Sequence, residues 1–252
     1  MESLKRSLIK KGLHIIFASL IFPLSIIAQD VPDSLNSMIK LIVQRANSDY
    51  GTDDRLINGE VYMRRYTGIK GSPYLFDENW VVGNLFIDGK VYKDKSININ
   101  LETNEIILNA ELKEGVFTKI ILNDAYLDSI DIAGRRFVNS ADYFPADSLS
   151  TFFEVIYEND FVYVVHYRKD FIREYTDSTP LGRYSGLKSD RLIVKNGEKI
   201  NVNREKAFLN FFGPDNKKAI RTFMKNNRIH YKKADLHELQ KLLAFCGTLY
   251  YE

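Results

Sequence analysis

The chain has 252 residues, 45% of them hydrophobic and 27% charged, with 14 Gly, 6 Pro and one Cys. That composition excludes a disordered, collagen-like or multi-span membrane protein, and the lone Cys246 excludes an internal disulfide scaffold. The formal charge of +2 becomes −1 once residues 1–28 are set aside (31 basic against 32 acidic), which argues against a general nucleic-acid binder.

The first 28 residues have the pattern of an export signal. Lys5, Arg6, Lys10 and Lys11 precede an apolar run from Leu13 to Ala28, shorter than the roughly 20 residues of a spanning helix. Pro23 breaks the run near its end, and Ile26 and Ala28 fit a signal-peptidase site before Gln29. No cysteine stands there to carry a lipid. The expected product is a periplasmic, outer-membrane-associated or extracellular protein with no membrane span after cleavage.

The mature chain reads as a single α+β domain, residues 29–252. Asp30 to Gly51 has the spacing of one short amphipathic helix. From about Leu56 the pattern turns to strands. Trp80–Ile87 and Lys90–Leu101 flank Asp88-Gly89, a type I′ hairpin signal, and Ile106–Leu108, Val116–Leu122 and Ser129–Val138 follow. Two further hairpins are expected, Phe152–Tyr157 with Phe161–Tyr167, and Arg191–Lys195 with Glu198–Val202 across Asn196-Gly197. Helical spacing then takes over in Arg204–Phe212, Asp215–Asn227 and Asp235–Tyr250, the last capped by Asp235 and carrying Leu239, Leu242, Leu243 and Cys246 on one stripe. The expected architecture is an antiparallel β-rich meander, sandwich-like or a curved sheet, with one N-terminal helix and a C-terminal cluster of about three helices. A sub-boundary near residue 150, at Phe144-Pro145-Ala146-Asp147, stays open.

Gly71-Ser72-Pro73-Tyr74-Leu75-Phe76, Trp80, Gly83 and the Asp88-Gly89-Lys90-Val91-Tyr92 hairpin form one set of spaced aromatics and glycines. Asn210-Phe211-Phe212, Lys217-Lys218-Ala219-Ile220 and Lys225-Asn226-Asn227-Arg228-Ile229 form another. Together the pattern resembles a family of uncharacterised exported proteins of Bacteroidota. The resemblance implies compartment and fold; that family has no assigned activity, so it implies no site residues.

Catalytic signatures are missing from the sequence. His237-Glu238-Leu239-Gln240-Lys241 starts like a zinc-protease helix, but Lys241 stands where the second histidine would ligate. His166 sits in a strand-like run, and His230 is separated from His237 by a helix start. Cys246 and His237 lie about 13 Å apart along one expected helix, too far for a catalytic pair. Tyr184-Ser185-Gly186 lacks the first glycine of a nucleophile elbow. Asp53-Asp54, Asp77-Glu78 and Asp124/Asp128/Asp131 read as solvated turns, the last set lacking the glycine and closing glutamate of a calcium loop. No metal and no cofactor is expected, and Cys246 reads as a buried, inert thiol.

The aromatics are the strongest signal. Tyr50, Tyr62, Tyr66, Tyr74, Trp80 and Tyr92 gather in the first strand-rich part, and Trp80, Tyr74 and Tyr92 are the candidate ligand-binding residues. Trp80 on its own reads as core, because it opens a strand continued by Val81, Leu85 and Ile87. Charge is uneven: residues 30–182 carry 16 basic and 25 acidic side chains, residues 183–252 carry 15 and 7. The two parts nearly cancel, so pairing within the molecule is favoured over binding to an anionic surface. The sum is an exported envelope protein, a non-enzymatic binding module whose partner is another envelope protein or a polymer. Two alternatives stay open, a carboxylate-dependent hydrolase of envelope polymers and a lipid or lipoprotein carrier with a curved sheet.

Overall fold

A computed structural model describes residues 58–111, 115–144 and 151–250, together with Ser37, Met38 and Leu56. The signal segment, Tyr50 and all but two residues of the expected N-terminal helix lie outside the described residues. Leu56 and the residues after it belong to one compact unit, Asn47–Glu252. Its strands are β1 (Glu60–Val61), β2 (Val81–Ile87), β3 (Lys90–Asn100), β4 (Glu105–Glu111), β5 (Phe117–Ile121), β6 (Leu127–Ile132) and β7 (Arg135–Asn139). They continue as β8 (Phe152–Glu158), β9 (Val162–Arg168), β10 (Phe171–Ile172), β11 (Arg183–Tyr184), β12 (Lys188–Lys195) and β13 (Glu198–Asn201).

Eleven of these form one sheet in the order β1-β5-β4-β3-β2-β6-β7-β8-β9-β12-β13, while β10 and β11 pair separately. Local turn chemistry explains the meander. Asp88 and Gly89 take φ of 48° and 71°, the left-handed pair that a type I′ hairpin needs. The run Ser129–Val138 is a hairpin too: Ala133 and Gly134 take φ of 52° and 71° and fold β6 onto β7. β7 and β8 pair through Phe137 and Glu154, so the sheet runs on past residue 150.

Cross-strand partners share a face. Ile120, Leu108 and Ile97 lie side by side across β5, β4 and β3, and Leu85, Ile130, Phe137, Glu154 and Val165 across β2, β6, β7, β8 and β9. On this face the chain builds two cores. The first takes Leu85, Ile97, Leu108, Ile130 and Phe137 from strands β2–β7, with Leu56. Its burial follows from curling of the sheet. The end of β9 returns to the β3–β4 turn although four strands separate them in the sheet, with Lys169 N donating to Leu101 O at 3.3 Å and His166 Nε2 3.0 Å from Asn104 Oδ1.

The second core is covered by helices α1 (Glu205–Phe211), α2 (Gly213–Asn226) and α3 (Leu236–Thr248). They lay Phe208, Ile220, Leu242, Leu243 and Cys246 on Tyr163, Val165 and Ile193. Asp235 caps α3 in a full capping box, accepting from Glu238 N at 2.8 Å while its own N–H reaches Glu238 Oε2 at 3.1 Å. Cys246 is fully buried, and desolvation pushes its thiol up to about 12. Among the described residues no helix is long and apolar enough to cross a membrane. The described architecture is thus α+β, mostly antiparallel sheet with a C-terminal helical cluster.

Candidate functional site

The three candidate aromatics have separate neighbours. Tyr92 is buried in the curled-sheet core. Tyr74 is 3% exposed, because Pro73 O and Leu75 N bond to Leu101 N and Ile99 O and lay the segment along the end of β3. Trp80 is half-buried and outside the core, which corrects the core assignment. The reason is register: Val81 pairs with Ile97 and packs on the core face, so Trp80, one residue earlier, falls on the other face. There Lys119 Nζ stands 5.2 Å from the centre of its ring.

A different aromatic group gathers beside Tyr74. Exposure alternates along residues 61–66, with Val61, Met63 and Arg65 exposed and Tyr62, Arg64 and Tyr66 half-buried, so the second set shares one side. The Tyr74 hydroxyl donates to Tyr62 Oη at 2.8 Å. Tyr66 stacks on Phe171 of β10 with centroids 4.1 Å apart and planes at 17°. Phe171 in turn meets Tyr184 of β11 edge-on at 5.7 Å, and the Tyr184 hydroxyl donates to Glu102 Oε2 at 2.7 Å. A bridge from Lys70 to Arg183 ties the two segments together. Lys169, nearly buried, donates to Tyr74 O at 2.6 Å and pairs with Asp77 at 3.1 Å, fixing the 74–78 turn to the end of β9.

Arg64 is the charged centre of this group. Its Nη1 pairs with Glu78 Oε1 at 3.1 Å, whereas its buried Nε–H has no hydrogen-bond partner among the described residues. An unpartnered buried donor costs about 1–3 kcal/mol. Burial raises the Tyr62 hydroxyl well above the ordinary phenol range, and the Arg64 charge opposes it. Tyr184 is raised by burial and then by Glu102, again against Arg64. Both hydroxyls therefore stay protonated, that of Tyr184 with its hydrogen given to Glu102.

Two surface concavities lie elsewhere. A polar groove of about 680 Å³ is bordered by Glu60, Thr103, Asn104, Glu105 and Asp124. A shallower groove of about 580 Å³ lies against α2 and α3, where Phe223 stacks on Phe245 at 4.1 Å. The interior of the curled sheet is filled by side chains, with Leu85, Ile97 and Ile130 at zero exposure. Among the described residues no group of three His, Cys, Asp or Glu gathers to hold a metal ion.

No protein-family model, curated protein or solved structure matches the chain. Sequence reasoning picked out Tyr62, Tyr66 and Tyr74 but missed Arg64, Phe171 and Tyr184. The two-residue spacing of Tyr62, Arg64 and Tyr66 was the available signal for Arg64. Phe171 and Tyr184 come from a distant hairpin and carry no such signal.

Proposed function

We propose that the chain is an exported cell-envelope protein, of the kind found in Bacteroidota, that works as a non-enzymatic binding module. Its ligand is an envelope polymer held on the surface around Tyr66, Phe171 and Tyr62. The observation that carries this reading is the half-exposed Tyr66–Phe171 stack, a flat apolar face ringed by hydroxyls and Arg64. The flanking segments also carry Val61 at 67%, Met63 at 83%, Tyr175 at 65%, Leu181 at 53% and Leu187 at 52% exposure. Tyr175, Leu181 and Leu187 flank β10 and β11 in the chain, whereas Val61 and Met63 face the other side of their segment from Tyr66. Tyr74 serves as the buried post that holds Tyr62 in place.

Affinity electrophoresis through gels loaded with dextran, xylan or polygalacturonate tests the reading. The wild-type chain is retarded by at least one polymer, and Tyr66→Ala loses that retardation while its melting midpoint stays within a few degrees. Equal retardation of Tyr66→Ala, or none for the wild type in any gel, overturns it. A second reading rests on the polar groove with Glu60, Glu105 and Asp124, the residue types that a hydrolase of such polymers uses. Reducing ends released from the same polymers would favour it.

A further inference from the structure

Arginine has two edges that can take a carboxylate. The side-on edge, Nε–H with Nη2–H, matches both carboxylate oxygens at once. Arg135 shows what this edge does when a carboxylate reaches it: Nε lies 2.7 Å from Glu154 Oε1 and Nη2 lies 2.8 Å from Oε2. In Arg64 the partner Glu78 sits on Nη1, and the side-on edge keeps a buried, unpartnered Nε–H. Tyr62, two residues away on the same side, accepts from Tyr74 and so keeps its own hydroxyl hydrogen to give.

We propose that the side-on edge of Arg64, with the Tyr62 hydroxyl, is a subsite for a carboxylate of the ligand, beside the ring face of Tyr66 and Phe171. The inference deepens the binding-module reading and rests on it, naming an acidic saccharide as the ligand class. The local charge selects a monoanion. Arg64 and Lys169 face Glu78 and Asp77, and Arg65 faces Glu102 at 3.9 Å, so the neighbourhood is balanced before the ligand arrives. A phosphate dianion would bring two negative charges beside Glu78, Asp77 and Glu102, whereas one carboxylate adds a single charge against the side-on edge. Glu78, 59% exposed in its side chain, is free to swing outward as the ligand settles.

The Arg64 Nε–H resonance of the isotopically labelled full-length chain gives a direct readout, with sodium acetate as the probe and sodium chloride at equal ionic strength as the control. Acetate shifts this resonance saturably and chloride does not; inorganic phosphate binds more weakly than acetate. Glu78→Gln removes a competing charge and tightens acetate several-fold. Arg64→Lys, which keeps the charge but loses the planar edge, weakens binding of polygalacturonate by about tenfold. A resonance that responds alike to acetate and chloride, tighter binding of phosphate, or unchanged polygalacturonate affinity in Arg64→Lys overturns the subsite. Retardation by a neutral polymer that survives Arg64→Lys but not Tyr66→Ala would sink the subsite and leave the binding module standing.

Discussion

Glu154 is the most enclosed carboxylate among the described residues, at 1% exposure, and it survives in the sheet interior because every oxygen is used. Arg135 grips it with two hydrogen bonds and the Tyr167 hydroxyl donates to Oε2 at 2.7 Å. Burial pulls the Arg135 guanidinium down, but the bond and charge of Glu154 outweigh it and hold it above the ordinary value. Phe137 and Tyr167 each lie 5.0 Å from the guanidinium and add ring faces. Removing one partner strands the other charge. Glu154→Gln is expected to cost about 3–5 kcal/mol in chemical denaturation, while Arg135→Met combined with Glu154→Leu stays much closer to wild type. A single variant as stable as the double would show that the pair contributes no more than its volume. Nothing in Phe153-Glu154-Val155 announces a buried acid, since its partner lies 19 residues earlier.

At the scale of elements, turns and caps were readable and contacts between elements were not. Asp88-Gly89, Asn196-Gly197 and Asp235 each act locally, and each stands where its own chemistry places it. The β6–β7 turn is marked less plainly, because Ala133 is an unusual residue for a positive φ. Gly247 is the counter-example within a helix. It lies on α3 against the β8–β9 turn, where the Tyr157 hydroxyl donates to Asp160 Oδ2 at 2.6 Å. A Cβ at 247 would overlap both of those oxygens. Helix propensity alone favours alanine by up to about 1 kcal/mol. The clash reverses the sign, so Gly247→Ala should destabilise by about 1–3 kcal/mol. The same change in a Tyr157→Phe background should cost less. Stabilisation by Gly247→Ala would show that the turn moves aside freely.

At the largest scale the sheet itself is held in its curled form by contacts between strands that are far apart in it. His166 is one of them: its Nε2–H reaches Asn104 Oδ1, and its ring meets Phe153 edge-on at 5.5 Å. Desolvation lowers its pKa below the usual 6.5, helped by Arg168 and Lys199 and opposed by Asp190. A depressed value means that the stability contributed by neutral His166 is complete above the unfolded pKa and is lost as pH falls through the folded one. Melting midpoints should therefore drop more steeply between about pH 7 and pH 5 for the wild type than for His166→Gln. Parallel curves would remove His166 as the acid-sensitive contact. Charge is organised at this scale too. Arg183–Glu174 and Lys188–Asp170 pair a base of the last part with an acid of the first, whereas Arg168–Asp190 runs the other way.

Alternation of apolar residues, turn dipeptides and a capping aspartate are properties of neighbouring residues, and the sequence by itself determined the antiparallel hairpins β2–β3, β8–β9 and β12–β13 and the three C-terminal helices from them. Local chemistry also set the apolar stripe of α3 with Cys246 inside it. Only the tertiary structure decided which face Trp80 takes, because a one-residue shift in strand register exchanges core for surface. The same holds for the Arg135–Glu154–Tyr167 network and for the meeting of Tyr62, Arg64 and Tyr66 with Phe171 and Tyr184. Those groups come together across about a hundred residues of chain. Their proximity follows from how far the sheet curls, a sum of small twists and bulges over many strands that no short stretch of sequence encodes.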